Sequence, residues 1–375
     1  MMSWEIPSLE HPPAPRLPRL MLWLFLMVVI GVIGFGVGIY LSANDMLPAN
    51  MDNTSFILLF IVVPNLLIFS IRLLVYLLTY YHHQSFTNML DEARQDWRYW
   101  ASKHLGLLAH SRLTHIDEEN KEGLELSSLP PHKDNVLKLD YLKSRTLWEK
   151  QEQVIVELLT PIAEYYHQYT LTQPITFYWQ TQKEDTDLIA HIQEDAARLL
   201  LNIESIEPLP QASLSEWLLT LYEEQFEPKL YVIISCQLED THASEEASCL
   251  LLAPQELYEH LRVPAKAKLL RPIATGIASF DEALKTQCEF QLAGNQLKTV
   301  WHSGVSDENK NQCIESYIKQ DIHCLSNQFY DVDAFFGKGG IARHSTTLSL
   351  VSDNPKNQLI VCQENDNLLL QQIIC

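Results

Sequence analysis

The chain has 375 residues, 47% of them hydrophobic and 20% charged, with a formal net charge of −20 at pH 7. That composition excludes collagen-like, low-complexity and disordered chains. Such acidity also argues against nucleic acid as a partner, because neutralising phosphates needs clustered Lys and Arg.

The acidity is uneven. Residues 1–110 hold six Lys or Arg and seven Asp or Glu, so nearly all the net charge lies beyond them. In chain order, a tail over 1–19 leads into Leu20–Leu41, which carries no charge and meets the roughly 20 residues needed to cross a bilayer core. Its glycines, Gly31, Gly34, Gly36 and Gly38, are tolerated in a membrane helix and let a second helix or a partner approach closely. The competing reading, a cleaved signal peptide, fits poorly: the run is long and no small-x-small site follows it cleanly. The loop Ser42–Ser55 has Pro48, two aspartates and no Lys or Arg. A second apolar run, Phe56–Leu78, is expected to kink at Pro64. Its only charge, Arg72, reads as snorkelling to head groups from a helix crossing between about Ser55 and Leu73, rather than as an intramembrane functional group. Arg16 and Arg19 precede the first span, Arg94, Arg98 and Lys103 follow the second, and the loop between has no cation. The positive-inside bias then places both termini in the cytoplasm, below a hairpin over 20–80.

Residues 84–140 read as an amphipathic helix over Gln84–Leu113 followed by a polar linker with Asp117-Glu118-Glu119 and Pro130-Pro131. The body, 141–375, opens with a helix over Tyr141–Tyr169. Strands then alternate with helices: Ile175–Trp179, Leu230–Ser235, Cys249–Ala253, Leu269–Ala274 and Leu297–His302 as strands; Asp185–Asn202, Leu214–Tyr222, Pro254–Leu261, Phe280–Cys288 and Glu308–Leu325 as helices. Ser279 and Glu282 have capping-box spacing. A Gly-rich turn enters a helix over 341–351, and Gln358–Gln363 with Leu368–Ile374 form a closing hairpin. The predicted fold class is α/β with a mixed sheet, behind two transmembrane helices. All seven cysteines lie in the last 140 residues without paired spacing, which reads as reduced thiols in a reducing compartment.

No complete catalytic pattern stands out. Gly337-Lys338-Gly339-Gly340 lacks the spacing of a phosphate loop, and a tight turn accounts for its glycines. Asp331-Val332-Asp333 offers two carboxylates for a divalent cation, though turn-capping aspartates are commoner. His302, His323, Cys324 and His344 lack zinc-ligand spacing. There is no G-x-S-x-G elbow. Neither a metal nor a cofactor is expected.

The strand Cys249–Ala253, the run Val300–Asp307 before a helix, the loop Gly337–Gly340 before another, and the closing hairpin together resemble the C-terminal half of thiolase-like, β-ketoacyl-synthase-type domains. The resemblance covers about a third of the chain and rests on layout. It implies a Cys nucleophile in the first half facing His residues in the second, one of them directly after the glycine of the late loop. Here Ile341 follows Gly340, and His344 is displaced. Cys236 is the first-half cysteine, and its surroundings do not match a nucleophile turn. Two membrane helices ahead of a degenerate thiolase-like domain also resemble accessory or adaptor proteins of bacterial type VI secretion, some linked to lipase effectors. The expected function is therefore a non-enzymatic, inner-membrane scaffold that binds a protein partner with a basic face. The alternative is a tethered acyl-thioester-processing enzyme using Cys236 with His302 or His344.

Overall fold

A computed structural model describes residues 4–7, 13–15, 19–44, 46, 52–119, 131–182, 186–224, 226–239, 241–322, 328–364 and 367–375. The chain divides into two compact units, Pro7–Trp97 and a larger one made of Met1–Ile6 with Arg98–Cys375.

The smaller unit contains two helices long and apolar enough to cross a membrane, and large apolar side chains such as Phe25, Leu66 and Leu74 are exposed on them. The first is α1, Leu20–Ala43. The second starts as α2, Asn53–Ile57, where the Asp52 carboxylate accepts from Ser55 N at 3.3 Å. It passes through one π turn, Leu58–Val62, and continues as α3, Val63–Ser102. The π turn has a cause: Pro64 brings no N–H, and its ring would collide with the Phe60 carbonyl in a regular helix. That carbonyl is where the helices meet. A Cβ on Gly34 would stand 1.9 Å from Phe60 O, and one on Gly38 would stand 2.4 Å from the Phe56 ring, whereas Gly36 meets nothing. The Arg72 guanidinium lies 6.0 Å from the ring centre of Trp23, at the end of α1 away from the connecting loop.

The larger unit is built twice on one plan. Its first half comprises β1 (His104–Leu113), α4 (His115–Glu119), α5 (Leu147–Gln168), β2 (Ile175–Thr181), α6 (Thr186–Arg198), β3 (Ile203–Pro208), α7 (Leu214–Glu223), β4 (Leu230–Gln237) and β5 (Glu246–Pro254). After α8 (Gln255–Leu261), the second half comprises β6 (Ala267–Leu270), β7 (Ile273–Gly276), α9 (Phe280–Phe290), β8 (Thr299–Ser303), α10 (Asp307–Lys319), β9 (Phe329–Asp331), α11 (Val332–Phe336), α12 (Arg343–Val351), β10 (Gln358–Glu364) and β11 (Asn367–Ile374). The sheet order is β3-β2-β4-β5-β1-β6-β11-β10-β8-β9, with β7 also on β11. With β6 and β7 counted as one interrupted strand, each half therefore runs third, second, fourth, fifth, first. In each, the fifth strand is antiparallel to its neighbours and the second is parallel to the third and fourth.

Three cores follow from that duplication. α5 and α6 cover one face of the first half around Ile155, Leu158, Ile192 and Val232. α9 and α10 cover one face of the second around Phe280, Val300 and Tyr317. Between the halves lie α7 and α12, packed by Trp217, Ile233, Leu252, Trp301, Leu348 and Ile360. Every residue of α12 is buried. Its hydroxyls are satisfied inside the protein, Thr347 Oγ1 donating to Arg343 O at 2.8 Å and Ser345 sharing a 2.7 Å bond with Ser248.

Several local expectations need correcting. His104–Leu113 is a strand joining the two halves, between β5 and β6, where the sequence reading has the end of a helix. Its apolar stretch Leu105–Ala109 is buried, which periodicity alone does not separate from a helix. Leu269–Ala274 is two strands broken at Arg271-Pro272, because proline cannot donate to a ladder. Ser279 makes no side-chain cap bond, whereas Thr146 with Glu149 forms a capping box at the start of α5. α10 ends at Lys319 rather than Leu325, and residues 323–327 lie outside the described set.

Candidate active-site cleft

A cleft of about 710 Å³ opens where the start of α7, the loop after β8, the Gly-rich turn, the start of α12 and the end of β10 converge. His344 and Cys362 border it, with Nδ1 and Sγ 3.1 Å apart. Both are buried, at 5% and 3% exposure. Burial pushes the imidazole pKa down and the thiol pKa up. The pair is thus held neutral, and a neutral thiol is a poor nucleophile. Beside it, the Glu364 carboxylate accepts from Ser213 and Ser215, each at 2.6 Å, tying the start of α7 to the hairpin.

Several other polar groups of the cleft are committed to one another. Arg343 donates to both Glu246 oxygens at 3.2 Å, to Asp333 at 2.5 Å and to the Gly337 carbonyl at 3.0 Å. Asp333 also accepts from Gly304 N at 2.7 Å, and Asp331 accepts from Lys310 at 2.5 Å. The two carboxylates that suggest a divalent site are therefore each taken up by a cation. Two backbone donors of the Gly-rich turn and its exit are likewise used. Lys338 N donates to Asn135 O at 2.9 Å and Ile341 N to Gln237 at 3.1 Å. A Cβ on Gly337, where φ is +70°, would meet Asn135 O at 2.4 Å, so the glycine is required by a close turn.

The residues of the enzyme reading are not brought together. Cys236 is on β4 and faces the α5/α6 core. His302 is on β8 and faces α10, with Nε2 2.9 Å from the Tyr317 hydroxyl, and burial lowers its pKa to about 4. Pleating separates it from His344: His302 pairs with Val361, and Cys362 lies one position on, on the opposite face. Of the proposed zinc set, His323 and Cys324 lie outside the described residues, and His302 and His344 stand on opposite faces of the sheet. Among the described residues no group of three or more His, Cys, Asp or Glu is placed to hold a metal. Cys362, Glu364 and Ser213 were not singled out by sequence. Alternation along β10 was the available signal, since it puts Cys362 on the inward face with Ile360.

No protein-family model and no curated protein matches the chain. Solved structures do. The chain is similar to the AntDE:AntF complex, a type II polyketide acyl-carrier protein with its ketosynthase bound to the hexaketide. The TM-score is 0.50 at 9% identity, covering 73% of this chain and 99% of that one. It is also similar to the ketosynthase domain OzmH KS8 of Streptomyces albus (0.47, 11%, 72% and 95%) and to 3-oxoacyl-[acyl-carrier-protein] synthase III of Aquifex aeolicus (0.43, 10%, 73% and 99%). At such identity the likeness is one of fold, and the larger unit is a mixed α/β body of thiolase-like architecture.

Proposed function

We propose that the protein is a non-enzymatic binding protein of thiolase-like fold. In this reading the α1–α3 hairpin anchors it in a bacterial inner membrane with both termini cytoplasmic, and the α/β body engages a protein partner. One observation carries the proposal: Cys236, His302 and His344 face three different cores, so the thiol and imidazoles of a condensing site do not converge. The buried Trp4 supports same-side termini, since it lies within the α/β unit, donating to Pro272 O at 3.0 Å and meeting Trp100 edge-on at 5.2 Å. The partner class follows from charge. An acidic body favours a protein with a basic face, and type VI secretion components or effectors are the class that the architecture resembles.

A second reading, acyl-thioester processing by Cys362 with His344, is favoured by their 3.1 Å contact in a cleft. It requires a thiolate that burial disfavours.

The test is capture from native membranes with the full-length chain, since a bait starting near residue 143 would lack β1. A specific protein should co-purify at low salt and be lost as salt screens beyond roughly 8–10 Å. Reporters after Asp45 and after Lys103 should report opposite sides. Absence of any specific partner would end the adaptor reading, and same-side reporters would end the two-span topology.

A further inference from the structure

A second cleft, of about 550 Å³, lies between the end of α3, the end of α7 and the start of α8. Arg271 borders it and is only 5% exposed. Its guanidinium lies 3.9 Å from the Trp100 ring centre and 5.4 Å from that of Tyr222, and Nε donates to Trp100 O at 3.4 Å. Among the described residues it has no carboxylate within ion-pair distance, and its two terminal amino groups have no protein acceptor. A buried cation left in that state is costly unless a ligand completes it. Around it the rim carries four carboxylates and one further cation, Lys103, whose Nζ lies 5.7 Å from the Tyr99 ring centre. Glu223 and Glu224 end α7, Glu256 and Glu259 lie on α8, and all four are exposed. None of the four has a cation within ion-pair distance among the described residues. Phe226 and Pro228 add apolar wall.

A complementary ligand carries one anionic group at its tip and cations behind it. Nucleic acid and anionic lipid would meet four carboxylates against the single lysine, Lys103, around Arg271. A peptide C-terminus with basic residues fits both parts, since main-chain carboxylates are recognised by buried donors and charge-assisted bonds to guanidinium are strong.

We propose that this cleft binds the C-terminal segment of a partner protein, its terminal carboxylate on Arg271 and its preceding Lys or Arg side chains on the two glutamate pairs. The inference rests on the protein-binding reading above and adds where, and through which chemistry, the partner is held. The test uses full-length protein in detergent and a randomised heptapeptide pool with free C-termini. Captured sequences should be enriched in Lys and Arg near the C-terminus. Amidating the best peptide should weaken binding about tenfold or more, as expected for loss of a charge-assisted pair. Arg271→Gln should erase the difference between acid and amide. Glu223→Gln with Glu224→Gln, at exposed positions, should weaken binding of the basic peptide severalfold, with folding unchanged by circular dichroism. Equal affinity of acid and amide, or no enrichment over Arg271→Gln, would overturn the proposal. If the natural partner were still captured fully by Arg271→Gln, the cleft assignment would fail while the adaptor reading stood. If wild type captured no partner, the adaptor reading itself would fail.

Discussion

Arg343 shows how thoroughly the cleft's polar side chains are used to hold the fold. It is 6% exposed and joins Glu246 on β5, Asp333 on α11 and the Gly337 carbonyl. Removing it would leave two buried carboxylates uncompensated, which costs roughly 3–5 kcal/mol. Arg343→Ala should therefore lower the urea midpoint sharply, and a loss below about 1 kcal/mol would mean the cluster is solvated. His302 sets a pH limit. Its folded-state pKa is lowered to about 4 by burial, against an unfolded value near 6.5. Between those values the unfolded chain takes up a proton that the folded chain refuses, so stability falls as pH drops from about 6.5 toward 4 and is unaffected by this group above 6.5. The loss is on the order of 3 kcal/mol. His302→Gln, which retains a partner for Tyr317, should flatten that part of the stability profile; an unchanged slope in denaturant titrations at pH 7.5, 6 and 5 would refute the assignment.

Among the elements, the pair of long apolar helices is where sequence reading reached furthest. Gly31, Gly34 and Gly38 face the second helix, while Gly36, which the sequence groups with them, does not. Gly34→Val would push a side chain against the Phe60 backbone carbonyl, a clash no rotamer relieves, costing about 1–3 kcal/mol. Gly36→Val has open space. Detergent-solubilised Gly34→Val should melt several degrees below both wild type and Gly36→Val, and equal melting of the two variants would exclude the close approach. The strongly apolar strands were also legible: β4 and β5 are buried along their whole length, and the closing hairpin is present, pairing Gln363 with Leu368. β1 was not, because Leu105-Gly106-Leu107-Leu108-Ala109 continues a helical segment without a turn signal. Nor were the edge strands β3 and β9, which are short and only partly buried. The site was less legible still. Its residues come from five separate elements, and whether Cys362 faces His344 or the α9/α10 core depends on pleat parity, which residue types do not reveal.

At the scale of the whole molecule, the two clefts described above differ in character. The one at His344 and Cys362 has a neutral thiol, and its backbone donors at Gly304, Lys338 and Ile341 are spent on internal acceptors. Stabilising a developing oxyanion would need such donors free and aimed at the reacting oxygen. The other cleft pairs a buried cation with an acidic rim, a combination suited to recognition rather than to bond making. The central claim, binding without catalysis, is tested most directly by thioester turnover. Full-length protein in detergent is incubated with acyl-coenzyme A of short, medium and long chain, and released thiol is followed beside Cys362→Ala, His344→Ala and Cys236→Ala. The account predicts release at the protein-free rate for wild type and all three variants. Release above that rate in wild type, abolished by Cys362→Ala or Cys236→Ala, would contradict it.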